Sequence, residues 1–315
     1  MCHFDFSGEF FLADYLMKIG NFGSSHLKSV YADSGIVDLW NSDKDELTTS
    51  VISHRETLGT IVNNDITYDF IIVPCHGFLA SPDLLLNNCE LRINFDRADS
   101  KIALVRINGS DATPKIDIKD CFAKAEYVSS PELREYFERV SLNPILYAYE
   151  DVNVITKPIP KSLNTVRFDN IRAGNTPKYI FFGVIDAELL TGSVEKPSTK
   201  FSCMDVEEAS IYYNGNVVPG YPIKTENNRQ TSAFHQFNDV TGRYLNTYAG
   251  SSIKINEFEY NFIWSHKLEA EAVNGSVSIE LNLKSPYSTN KTLVVWLITD
   301  NVLSIDKDNI VEKLQ

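Results

Sequence analysis

The sequence predicts an all-β protein built from antiparallel β-sandwiches, and three observations carry that prediction. Apolar residues alternate with polar ones over most of the chain, which is the signature of strands with one face in a core. Two continuous apolar runs, "YIFFGVI" (179–185) and "LVVWLI" (293–298), are short enough to be strands covered on both faces. Clusters of Gly, Pro, Asn and Ser separate these segments at short intervals, the punctuation of a sandwich or barrel.

From the N-terminus, "GEFFLADYLMKIG" (8–20) is aromatic-rich and ends in glycine, so it predicts a helix. Strands follow near 66–74, 89–96, 101–107 and 115–128. In the second of these, Leu91, Ile93 and Phe95 alternate with Glu90, Arg92, Asn94 and Asp96 as in a half-buried antiparallel strand. "SSPELREYFERV" predicts a short amphipathic helix: Ser130 caps it, Pro131 opens it, and Leu133, Tyr136, Phe137 and Val140 form one stripe. Four strands come next, near 147–158, 177–186, 206–214 and 217–223. A helix over 232–250 precedes four more, near 258–266, 277–284, 292–299 and 302–311. Phe258, Tyr260, Phe262 and Trp264 form one face of the first, and Val277, Ile279, Leu281 and Leu283 one face of the second.

Both helices, near the start and at 232–250, introduce runs of four strands, so the chain reads as a weak internal repeat. The later copy has eight strands, the number in a jelly roll. The earlier copy has only its last four. The expected organisation is therefore a partial first jelly roll over 1–130, with late strands only, and a linker helix with a complete second jelly roll over 131–315.

Composition excludes several functions. The 315 residues are 43% hydrophobic and 23% charged, within the globular range. A formal net charge of -13 with a pI near 4.9 lacks the basic footprint that nucleic-acid binding requires. Cys2, Cys75, Cys89, Cys121 and Cys203 form no CxxC pair and are odd in number, so they read as reduced thiols of an intracellular protein. No apolar stretch approaches about 18 residues, the length of a membrane span.

Chemical motifs are sparse. There is no phosphate-binding glycine loop, no HExxH and no GxSxG elbow. Cys75 and His76 are adjacent in "PCHG", but neighbours on a strand point to opposite faces and are poorly placed to share a proton. His3, His26, His54, His235 and His266 lack metal-ligand spacing. Asp306 to Asn309, "DKDN", lacks the glycine and closing glutamate of a calcium loop and reads as a solvated strand end. The acidic runs "NSDKDE" and "EAEA" read as exposed loops, with paired carboxylates for glycoside hydrolysis as the rival reading. Accordingly no catalytic, cofactor-binding or metal residue is assigned, and no enzyme activity is expected. "IYYNGNVVPGYPI" (211–223) predicts a hairpin closed at Asn214-Gly215, then a turn at Pro219-Gly220. It carries three tyrosines, Tyr212, Tyr213 and Tyr221, and no catalytic group; such aromatics could line a sugar-binding face but more often fill sandwich cores and subunit interfaces.

Several segments resemble the double jelly-roll major capsid proteins of Polinton/Maverick elements and adintoviruses, together with related uncharacterised nematode proteins. "TPKYIFFGVID" is similar to that family through Pro177, Lys178, Gly183 and Asp186, as is the 211–223 hairpin through Gly215, Pro219 and Pro222. "VTGRYL" (Thr241, Gly242, Arg243, Tyr244) and "DNVLSIDKDNIV" (Asp300, Asn301, Val302, Ile305, Asp306) resemble its later segments. "YDFIIVPCHGFLASPDLLLNNCELRINFDRADSK", with Leu85, Leu86 and Asn87, looks like the late strands of its first roll. "PILYAYEDVNVITKPIP" and the helix before it look like its inter-roll segment.

The resemblance implies a hexon-like structural subunit that forms trimeric, pseudo-hexagonal capsomers of an icosahedral shell. Its partners would be copies of itself, neighbouring capsomers and minor capsid or penton proteins, with no direct hold on nucleic acid. Its place would be the virion capsid, after intracellular assembly. The apparent lack of about four leading strands implies a truncated copy, or strands supplied by another chain. The alternatives are a β-sandwich carbohydrate-binding or glycoside-hydrolysing domain, and a domesticated descendant that no longer assembles.

Overall fold

The computed structural model describes residues 2–6, 10–21, 60–62, 65–67, 77–80, 91–95, 116–125, 127–140, 144–193, 198–201, 205–225, 230–242, 261–268, 274–306 and 310–314, with single positions at 85, 99, 102, 253, 255 and 258. The protein is all-β, with short helices between the strands.

In the N-terminal part, β1 (Cys2–Phe6) is followed by α1 (Phe10–Asn21), and β2 (Thr60–Val62) pairs antiparallel with β3 (Asp65–Thr67). A single 3₁₀ turn covers Phe78–Ala80, and β4 (Leu91–Phe95) pairs with β1. Helix α2 (Pro131–Val140) opens as expected. The Ser130 hydroxyl accepts the Leu133 N–H at 3.1 Å, which satisfies one of the free donors of the first turn. The Glu132 carboxyl is held below the usual carboxylate range by its own backbone N–H, with a smaller effect from the Ser130 hydroxyl.

Eight strands then build one sandwich. They are β5 (Ile145–Ile159), β6 (Thr165–Asn175), β7 (Tyr179–Asp186), β8 (Val206–Tyr213), β9 (Asn216–Lys224), β10 (Trp264–Lys267), β11 (Asn274–Leu283) and β12 (Lys291–Ile305). Helices α3 (Ala187–Leu190) and α4 (Thr231–Val240) sit between them, and β13 (Val311–Leu314) follows. The first strand pairs with the last, β5 with β12, and the order nests inward through β6 with β11, β7 with β10 and β8 with β9, all antiparallel. Two further pairings, β12 with β7 and β11 with β8, join these ribbons into the sheets β10-β7-β12-β5 and β6-β11-β8-β9. A long four-ribbon hairpin rolled up in this way is a jelly roll.

The inner face of the second sheet carries Val277, Ile279, Leu281 and Leu283 of β11 beside Val206, Ala209 and Ile211 of β8, all nearly or fully buried. The first sheet is covered on both faces, which is why β7 and the first half of β12 read as unbroken apolar runs. Phe181 and Trp296 are cross-strand partners and point to its outer side. There Phe181 meets Phe237 of α4 at 6.2 Å, and Trp296 meets Phe201 at 5.2 Å. Helix α1 completes this cover: the Trp296 indole donates to the Leu12 carbonyl at 3.0 Å, and the Tyr15 hydroxyl donates to Asn261 Oδ1 at 3.0 Å. The helix expected to introduce the first roll thus packs into the core of the second.

Several expectations need correction. The strand expected over 115–128 is absent among the described residues, since 116–125 and 127–130 form neither strand nor helix. The half-buried strand at Leu91–Phe95 exists, but its described partner β1 runs parallel to it, not antiparallel. Segments 292–299 and 302–311 are not two separate strands: β12 runs without a break from Lys291 to Ile305, and β13 begins at Val311 and pairs back onto it. Strand β6 had no expected counterpart. Its apolar positions are Val166, Phe168 and Ile171, and the register against β11 slips between Val277 and Ile279, so a bulge breaks the period-two signal. The strand at 258–266 shrinks to β10, because Phe258 and Phe262 pack as an aromatic cluster outside it, 5.0 Å apart. Helix α4 ends at Val240, ten residues earlier than expected, where Thr241 N–H and hydroxyl both bond the Phe237 carbonyl. Of the strands near 66–74 and 101–107, only residues 66, 67 and 102 are described.

Candidate assembly surface

The hairpin of β8 and β9 forms as the Asn-Gly pair dictates. Asn214 and Gly215 both have positive φ, 50° and 81°, the geometry of a type I′ turn whose twist matches the strands. Pro219-Gly220 is not a turn: it lies within β9, where the register jumps from Val218 opposite Ile211 to Ile223 opposite Ala209. Residues 219–222 therefore bulge out of the ladder, and Tyr221 in the bulge is 60% exposed.

The other two tyrosines are already engaged within the chain. Tyr213 shares a 2.7 Å hydrogen bond with Thr176, and its ring lies where a side chain on Gly275 would stand. Tyr212 donates to Glu280 at 3.4 Å and lies under the Arg167 guanidinium, 4.3 Å from the ring centre. Arg167 also bonds Asp169 at 2.7 Å, and Lys224 pairs with Glu208 at 3.2 Å. The outer face of the second sheet is thus a polar, solvated wall.

Apolar exposure lies elsewhere. In the segment before α2, Ile118 is 51% exposed, Phe122 87%, Tyr127 91% and Val128 61%. A second patch is formed where β5 and β12 extend past the sandwich and gain β13. One face of this ribbon packs Tyr147 and Ile305 against Phe78, and Gly77 N–H bonds the Glu150 carbonyl at 2.9 Å on the outer edge of β5. The opposite face leaves Leu146 and Leu314 exposed. Strand β5 pairs with β12 along all its 15 residues, and among the described strands no other pairs with its outer edge.

The residues behind the sequence resemblance have structural roles. Gly183 lies against Phe201, where a Cβ would come within 2.8 Å of the ring. Asp186 pairs with Lys291. Lys178 bridges Glu150 at 2.9 Å and Asp300 at 3.3 Å, two carboxylates that stand directly opposite on β5 and β12. The hydrogen bond that the Lys178 ammonium donates to Glu150, reinforced by the negative charges of Glu150 and Asp300, raises it above its ordinary value, against a smaller opposing effect of burial. Asp300 belongs to this bridge, and Asn301 donates to Thr299 at 3.3 Å.

Other candidates resolve only in part. Asp306 accepts the Ile310 N–H at 2.8 Å just ahead of β13, and residues 307–309 of the "DKDN" run lie outside the described residues. His235 lies on α4 and His266 on β10, well apart in sequence. Among the described residues no group of three or more His, Cys, Asp or Glu side chains could hold a metal ion, and no helix is long and apolar enough to cross a membrane. Cys75, His76, His26, His54, the runs "NSDKDE" and "EAEA", and Arg243 with Tyr244 lie outside the described residues.

No family model matches the chain. It is 22% identical over 244 residues to the uncharacterized protein F54H12.2 of Caenorhabditis elegans, a match covering 71% of this chain and 58% of that protein. The chain thus spans little over half the length of this curated relative. Among solved structures it is similar to the Sputnik virophage particle (TM-score 0.36, 12% identity, 54% of this chain and 39% of that one) and to the mavirus major capsid protein (0.34, 10%, 54% and 41%). A third likeness is to PBCV-1 VP54, at a TM-score of 0.39 and 11% identity over 59% of this chain and 54% of that one.

Proposed function

We propose that this chain is a structural capsid protein of the double jelly-roll type, a hexon-like subunit that builds trimeric capsomers. The observation that carries the reading is the nested strand order of the complete roll, together with a sequence that resembles Polinton and adintovirus capsid subunits across most of its length. In this reading residues 131–315 form the second roll, 1–130 hold the late strands of the first, and the contacts are made with copies of itself. The mechanism is geometric: the roll buries its own core, and exposed side chains such as Ile118, Phe122 and Tyr127 and the Leu146–Leu314 face carry the subunit contacts. The acidic surface suits a shell wall that does not itself hold the genome.

Light scattering tests this on the purified chain over a range of concentrations. A trimer, or association towards one as concentration rises, is the expected result. A monomer at every concentration would overturn it and favour a non-assembling descendant or a sugar-binding sandwich, which titration with oligosaccharides would then separate.

A further inference from the structure

We infer that β1 and α1 together act as a strap that mechanically couples the N-terminal part of the chain to the jelly roll. The strap has two anchors. At one end, β1 adds in parallel to β4, Cys2 opposite Leu91 through to Phe6 opposite Phe95. At the other, α1 is buried nearly all round: Leu12, Tyr15 and Leu16 are 1% exposed and Ile19 is fully buried. The ion pair within it is also enclosed, with Lys18 and Asp14 2.7 Å apart and their side chains 7% and 14% exposed.

A short surface helix normally presents an apolar stripe and a solvated face. Helix α1 instead fills a slot, and its contacts are specific as well as apolar. Trp296, in the middle of β12, donates its indole N–H to the Leu12 carbonyl, and Tyr15 bonds Asn261 while stacking on Phe201 at 6.0 Å. The two anchors are joined by Ser7, Gly8 and Glu9 alone, a reach of at most about 14 Å between Phe6 and Phe10. Displacement of α1 from the roll therefore pulls on β1, and a partner that captured either end would be felt at the other. Leaving its slot, α1 would also uncover Phe201 and Trp296, the two rings it touches.

Hydrogen–deuterium exchange on the full chain tests the coupling. The double variant Leu12→Ala/Leu16→Ala loosens α1 from the roll. Exchange at 2–6 and 91–95 is expected to rise about tenfold or more together with that of α1, while the β6–β11 ladder keeps its protection, because sub-global opening proceeds in contiguous units. Should that variant fail to fold, the milder Trp296→Phe removes the bond to Leu12 together with part of the ring volume, with an expected rise of about fivefold at the same amides. Unchanged protection of β1 and β4 when α1 opens would overturn the strap. So would a parallel loss of protection in β6 and β11, which would mean global destabilisation.

Discussion

At the scale of single residues, three side chains show how the fold is held. Trp296 lies at the centre of the covered sheet, and its indole N–H has one partner, the Leu12 carbonyl. Trp296→Phe should cost about 1 kcal/mol through that bond, and Trp296→Ala about 3–5 kcal/mol through the cavity as well, read from urea midpoints. Gly275 has no space for a methyl group because the Tyr213 ring occupies it. Gly275→Ala should therefore destabilise by about 1–3 kcal/mol, and adding Tyr213→Leu to it should recover part of the loss. Lys178 sets a pH dependence. Its ammonium is raised in the fold by Glu150 and Asp300, so the stability it contributes is fully present below its ordinary value of 10.5 and is lost as pH rises through the folded value. Because the bridge is partly solvated, the loss should stay within about 1 kcal/mol. Thermal melts of the parent chain and Lys178→Met at rising alkaline pH should converge.

At the scale of elements, the hairpin and the bulges explain what the strand pattern conveys. Asn214-Gly215 is a local instruction, since two consecutive positive φ angles suit few other residue pairs. Gly215→Val should cost about 1–2 kcal/mol, seen as a lower urea midpoint with an unchanged slope. Pro219-Gly220 carries the same sequence signal, yet the pairing of Ile223 with Ala209 resumes the ladder beyond it and turns it into a bulge. Strand β6 shows the converse: it is paired to β11 on both sides of its bulge, but the bulge breaks the alternation on which its recognition depends.

At the scale of the molecule, surface charge and apolar exposure oppose each other. A net charge of -13 makes approaching copies repel, and salt screens that repulsion. The mass measured by light scattering should accordingly rise from low to high salt. Replacing Phe122 and Tyr127 with serine should reduce that rise and shift the melting temperature little, because both side chains are almost wholly exposed. If the double variant associates as the parent does, segment 116–128 is not an assembly surface.

The sequence by itself determined the fold class, the hairpin turn, the start of α2 and the doubly covered strands β7 and β12, because each depends on neighbours within a few residues: period, cap and turn chemistry. It also showed that no familiar catalytic motif is present. Only the tertiary structure decided which strands join, that β12 is one strand along its whole length, that Phe258 and Phe262 pack outside a strand, and that Tyr212 and Tyr213 are engaged within the chain. The tertiary structure also placed α1 against a sheet more than a hundred residues away. Amphipathic pattern states that a face must be buried but not against what, since the hydrophobic effect is non-directional and the partner is chosen by long-range packing.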